Sequence, residues 1–377
     1  MKHLTDLTCC RALFAGWVFA YHLNLQALYA PSLGAAGAFV QRGSLGVDGF
    51  FILSGMILAY AHPDLPVGFT SVRRFWGRRL ARIYPVHLAM IVALGLLIGS
   101  AWVLHVHPRD PDRFGVGELL SHLALVHAWG GSDRWAWNYP SWSISAEWAG
   151  YLAFPFLWAK LRAQNGTGVA VVLPLTLLGV IAARVIATRR GLSLTYDGGL
   201  IRFFPEFIAG MTTLPLLARL PRRLNGHLVA ALGALGAIAA ACANVESATV
   251  AGLWLTLAGL LLAGEQGRGV VLGRIPGLAW LGEVSYSFYM SFALVETMQA
   301  TLWRHFAIAP AAHKALYVIT TMAATLALAT LSWALVERPA MRAYGAWVQR
   351  GNRSRGGLRR RAGSRNPGRA TTPGAGT

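Results

Sequence analysis

The sequence predicts an all-α fold: a polytopic helical bundle integral to a membrane, with about ten transmembrane helices and both termini on the cytoplasmic side. Three observations carry that expectation. Over half of the residues are hydrophobic while only 13% are charged, against about 25% charged in soluble domains. Apolar runs of 16 to 22 residues recur from one end to the other, the length a helix needs to cross a bilayer. Basic residues gather in alternate loops between those runs, as the positive-inside rule requires.

The runs fall at 9–29, 45–61, 84–105, 143–160, 167–186, 201–218, 228–243, 248–264, 278–299 and 315–336. The loop after the second holds Arg73, Arg74, Arg78, Arg79 and Arg82, which sets it, and hence the N-terminus, inside. Lys160 and Arg162, then Arg219, Arg222 and Arg223, then Arg268 and Arg274 mark the later inner loops. Arg189 and Arg190 fall on the outside and go against the pattern. The segment 117–130, "GELLSHLALVHAWG", is too short to span and reads as re-entrant or interfacial. Residues 1–345 form one membrane domain. The basic tail, 346–377, is expected to be disordered, since from about 351 it is rich in Gly, Arg, Ser and Pro.

The net charge of +19 resembles that of a nucleic-acid binder. Its place in loops beside apolar runs, and in a tail with ten arginines from Arg338 onward, accounts for it without nucleic acid. Cys9, Cys10 and Cys242 form neither a disulfide framework nor a metal spacing, so no metal is expected. The first run contains Arg11 and His22 and many runs follow it, which excludes a cleaved signal peptide.

Ionisable groups inside apolar runs are costly and default to functional candidates. Arg11 and His22 are eleven residues apart on the first run. That spacing gives one helix face and about 16 Å along the axis. A snorkelling anchor at Arg11 and a packing hydrogen bond at His22 are the plainer alternatives. Asp48 opens "GVDGFFILSGMILAY" and Glu147 lies in "NYPSWSISAEWAGY". Both fall in the outer half with His22, and the three are expected to share a proton-handling site. Ser54 and Gly55 read as a close-packing pair, because no base is expected beside Ser54 to make it a nucleophile. Arg78, Arg79 and Arg82 present guanidinium groups on one helical face. That face suits phosphate or anionic lipid headgroups. Arg202 and Glu206, four apart, read as an ion pair within one span, and Pro339 of "ERP" as the stop of the last span.

In this order, Arg11-x10-His22, "GVDGFFILSG", "RRLARIYP", "WSISAEW", "RFFPEFIAGM", "SYSFYM" and "VERP" resemble the acyltransferase-3 family of membrane acyltransferases, over about residues 5 to 342. The resemblance implies a ten-helix domain of the inner (cytoplasmic) membrane. Such a domain takes an acyl group, usually acetyl, from acyl-CoA and passes it to a hydroxyl, commonly of a carbohydrate or a glycosylated, secreted metabolite. His22 is then the catalytic base. Arg11, Arg79 and Arg82 are candidates for coenzyme A phosphates. Asp48 and Glu147 become acidic partners or acceptor contacts, and Asn138, Ser141 and Trp142 acceptor contacts. Members often carry a histidine where this chain has Phe292, so no role transfers there. No fused extracytoplasmic domain is expected. A transporter or flippase of a polar or lipid-linked substrate, which also buries ionisable groups, is the rival reading, and a membrane scaffold the third. No related halves in the sequence support the transporter.

Overall fold

The computed structural model describes residues 4–105, 110–163, 166–221 and 223–363. Arg222 and the end of the tail, 364–377, lie outside them. Among the described residues there is helix and no strand. In chain order the helices are α1 (Thr5–Ala27), α2 (Ala35–Gln41), α3 (Gly46–Ala61), α4 (Phe69–Val103), α5 (Val116–Leu123), α6 (Trp142–Ala163), α7 (Gly166–Arg190), α8 (Gly199–Leu217), α9 (Gly226–Cys242), α10 (Glu246–Glu265), α11 (Leu278–His305), α12 (Lys314–Ser332) and α13 (Arg338–Gly363).

Six stretches are long and apolar enough to cross a membrane: Gly43–Ala61, Phe69–Val103, Val171–Arg190, Gly199–Leu217, Glu246–Glu265 and Lys314–Arg350. Their outer faces are apolar. Leu228, Leu232 and Leu235 on α9, Leu175, Leu178 and Val185 on α7, and Ile319 and Met322 on α12 are all exposed at helical spacing. Stripes this wide on a soluble surface would aggregate; against lipid they are the stable choice. The chain is a multi-pass membrane protein.

Without a hydrophobic force between helices in lipid, association depends on close approach of small residues. The α3–α8 crossing shows this. A Cβ on Gly55 would lie 2.0 Å from the Phe207 carbonyl oxygen, and one on Gly210 would lie 2.0 Å from that of Ile52. Two glycines thus let two backbones touch, the packing role expected for Gly55. Helices α9 and α10 close on each other through Gly226, Gly233, Gly252 and Gly259 in the same way. Helix α1 packs along α11, where Gly282 abuts the Thr8 carbonyl.

Two sequence expectations change. The basic segment and the third apolar run are one 35-residue helix, α4, which passes through Pro85 without ending. Pro339 does not stop the last span. It lies inside a continuous helix, two residues past an interruption of the α-helical ladder. A five-residue π-helical turn, Trp333–Glu337, joins α12 to α13. The helix continues from there as α13.

Candidate active site

A cavity of about 1160 Å³ opens at the end of the bundle remote from the Arg73–Arg82 segment. Its wall comes from the C-terminal part of α1 (Tyr21, His22, Gln26), the N-terminal ends of α8 and α10 (Arg202, Glu246), the C-terminal end of α7 (Arg184, Thr188), the middle of α11 (Tyr289, Glu296) and the loop that carries Arg113, Trp135, Tyr139 and Trp142.

His22 is half-buried in this wall. Its Nδ1 lies 3.2 Å from the Tyr139 hydroxyl, and that hydroxyl donates to Glu296 Oε2. No described residue hydrogen-bonds His22 Nε2. The Phe292 ring, 4.9 Å from the imidazole, and Tyr139 bracket His22, so Phe292 is an apolar wall of the site. Burial and the adjacent Glu296 carboxyl push the Tyr139 phenol well above its ordinary value, which keeps its proton in place.

Asp48 is not beside His22. Its carboxylate is fully buried, accepts two bonds from Arg202 and takes a third, at 2.5 Å, from Arg184. Arg184 also lies 3.6 Å from Glu206 and 3.1 Å from Glu246. The expected Arg202–Glu206 pair within one helix is replaced by pairs between helices. The side chain of Arg202 turns to α3 and stacks over Trp142, 5.3 Å from the ring centre. Asp48 thus reaches the cavity only through the two arginines that face it.

Glu147 occupies a third place. Ser54 donates to its Oε1, and so does Tyr151, at 2.6 Å. A carboxylate therefore does stand beside Ser54, against expectation. Arg11 and Arg82 lie within electrostatic reach of Glu147, and Arg79 packs over the Phe75 and Tyr151 rings. Arg11 and Arg82 thus lie around one carboxylate, and Arg79 stands over the ring of the tyrosine that donates to it. Arg82 is engaged elsewhere as well. It pairs with Glu337, which is fully buried and also accepts from Ser287 at 2.6 Å. His22, Asp48 and Glu147 therefore sit in three separate polar centres, because each acid has closer partners on its own neighbouring helices.

Of the acceptor-contact candidates, only Trp142 lines the cavity. Asn138 donates to the Met290 carbonyl at 3.1 Å, and Ser141 lies 3.0 Å from His127 Nε2; both are buried. They pin the 138–142 turn that carries Tyr139 and Trp142. His127 stacks on His122 at 3.8 Å, and His122 Nδ1 donates to the Glu118 carbonyl at 2.7 Å. This fastens the short helix α5 and its return loop. Among the described residues no three His, Cys, Asp or Glu side chains are grouped as metal ligands. Tyr139, Glu296, Arg184 and Glu337 are the site features that sequence reasoning missed. Glu296 and Arg184 carried a usable signal: each is a charge inside an apolar run.

Comparison with known proteins agrees with the motif order. A family model described as an acyltransferase domain matches residues 4–336. The acyltransferase MdmB of Streptomyces mycarofaciens is 38% identical over 162 residues, covering 42% of this chain and 40% of that protein. The exopolysaccharide production protein ExoZ of Rhizobium meliloti is 29% identical over 314 residues, covering 80% of this chain and 90% of that one. No solved structure matches. With the family model spanning nearly the whole ordered bundle, the chain belongs to the acyltransferase-3 family of acyltransferases.

Proposed function

We propose that the protein is an O-acyltransferase of the cytoplasmic membrane, with ten spans and both termini inside. In this reading it moves an acyl group, acetyl by preference, from acyl-CoA to a hydroxyl of a carbohydrate or glycosylated metabolite. The observation that carries the reading is His22: an imidazole on the wall of a large cavity, with one nitrogen engaged and the other without a partner among the described residues. His22 takes the acceptor's hydroxyl proton as the oxygen attacks the thioester carbonyl. The C–O bond forms, the C–S bond breaks, and the imidazolium returns the proton to the departing thiolate.

The remaining residues have supporting roles in this scheme. Arg11 and Arg79 meet the phosphates of coenzyme A from the basic end, with Arg82 holding that end to Glu337. Glu147 orders the arginines. Asp48 orients Arg202 and Arg184. Trp142, Trp135, Tyr196 and Tyr289 offer ring faces among charged groups in the cavity, a lining suited to a sugar. The name of ExoZ points to a carbohydrate product for that relative and favours the same acceptor class here. No step requires a metal.

The test is thiol release from acetyl-CoA by the purified protein in detergent, with methyl glycosides as acceptors. His22→Ala should lower turnover by about 10²–10⁴-fold, the usual range for loss of a general base. Binding of a non-hydrolysable acetyl-CoA analogue should persist. Full turnover by His22→Ala would overturn the reading.

A further inference from the structure

We infer that Glu296, acting through Tyr139, sets the tautomer of His22 and is a positioning residue for the reaction; this inference rests on the reading of His22 as the base.

The argument is one of proton counting. Tyr139 has a single hydroxyl proton. It stays on the oxygen, because the phenol is buried beside a carboxyl group. Glu296 as a carboxylate has only acceptor sites, so the Tyr139 proton points to Glu296 Oε2. The Tyr139 oxygen can then meet His22 Nδ1 only as an acceptor, which puts the imidazole proton on Nδ1. Nε2 is left with its lone pair and, among the described residues, no partner, the form a base needs. With a neutral group at position 296 that donates to Tyr139, the chain reverses. Tyr139 donates to Nδ1, and Nε2 carries the proton and cannot accept another.

Two more polar groups stand at this chain. The side chain of Gln26, one helical turn beyond His22 on α1, hydrogen-bonds Glu296. The guanidinium of Arg113 lies over the Tyr139 ring, 5.8 Å from its centre. The i, i+4 spacing of His22 and Gln26 puts both on one face of α1, so the carboxyl group on α11 meets the helix that carries the base directly through Gln26 and, by way of Tyr139, through His22. The same arrangement serves the reaction. When His22 takes the acceptor's proton at Nε2, the imidazolium forms next to a hydroxyl whose dipole is already aligned by a carboxylate. A base oriented by a third group is the general form of nucleophile-activating triads; here a tyrosine stands between the two.

The test compares Glu296→Gln, Glu296→Asp, Tyr139→Phe and the Glu296→Gln/Tyr139→Phe double variant in the acetyl-CoA and methyl glycoside assay, with His22→Ala alongside. The inference expects Glu296→Gln and Tyr139→Phe each to lower kcat on the order of 10²-fold, with the acetyl-CoA KM within about twofold, since the loss lies in the transition state. The double variant should be no slower than the slower single, because both break one chain. Glu296→Asp keeps an acceptor-only group and should recover at least about tenfold over Glu296→Gln. If Tyr139→Phe fails to fold, the Asp-against-Gln comparison still decides. Wild-type kcat in Glu296→Gln, effects that multiply in the double variant, or no recovery with Asp would overturn the inference. If His22→Ala itself retains turnover, it is the reading of the base that has failed.

Discussion

Asp48→Asn should lower the stability of the bundle before it touches the chemistry. The side chain is fully buried and holds Arg202 by two bonds and Arg184 by one. Around it, Arg42, Arg184 and Arg202 are matched by Asp48, Glu206 and Glu246. The substitution keeps the shape but leaves the group one positive charge in excess, and it turns an amide NH2 toward a guanidinium. Breaking a buried pair from one side costs about 3–5 kcal/mol. With an unfolding entropy of about 2.1 cal/mol/K per residue, a chain of this size loses about 4–6 °C of melting temperature for that change. Cys9 and Cys10 are buried on α1 while Cys242 is exposed. In a Cys242→Ser background, a thiol-reactive dye therefore reports unfolding directly. Adding Arg184→Gln should restore part of the loss by removing the unmatched cation. An Asp48→Asn protein that melts like the parent would refute the reasoning. If it also loses turnover, Asp48 belongs to the chemistry after all.

Two further outcomes follow from the same structure. Arg82→Ala strands the buried Glu337 carboxylate and should destabilise the protein by about 3 kcal/mol. Arg79, which has no carboxylate within ion-pair distance among the described residues, should tolerate Ala in melting. Arg79→Ala should nevertheless weaken acetyl-CoA-analogue binding about tenfold, through loss of a charge-assisted contact. Equal melting losses for the two would contradict this division. Burial lowers His122 from 6.5 to about 4. The unfolded chain therefore binds the extra proton first, and the stability His122 contributes, intact above about pH 6.5, falls by about 1.4 kcal/mol per unit toward pH 4. Amide exchange across residues 116–127 should accelerate over that range, and less so in His122→Asn; exchange that ignores pH would contradict it.

The helices were legible because each is a local event: an apolar run of bilayer length satisfies its own backbone wherever it sits. Arg11, Arg79 and Arg82 were readable for the same reason, since spacing on one helix places side chains on one face. Partnerships between helices were not readable. Tyr139 and Glu296 are 157 residues apart, and Asp48 and Arg202 are 154 apart, so nothing in either neighbourhood of sequence announces the other. Equal depth suggested that His22, Asp48 and Glu147 would meet. Depth fixes one coordinate of three, and the rotation of each helix sent each acid to a different neighbour. Pro339 misled because a proline that a helix runs through looks, in sequence, like one that ends it.

The π-helical turn at Trp333–Glu337 has a consequence for how this chain can vary in length. Such a turn holds one residue more than an α-turn over the same rise. The five residues turn the chain about as far as four would in an α-helix, so deleting one of the residues from Trp333 to Val336 would restore regular α-helix and leave everything after it nearly in phase. Glu337 would keep its place against Arg82 and Ser287, and Tyr344 its place at Gly77, where its hydroxyl now rests against α4. A deletion between Arg338 and Tyr344 meets no such reserve: it would turn Tyr344 about 100° off Gly77 while Glu337 stays where it is. The chain can thus lose one residue at this turn, and not just beyond it, with both contacts kept.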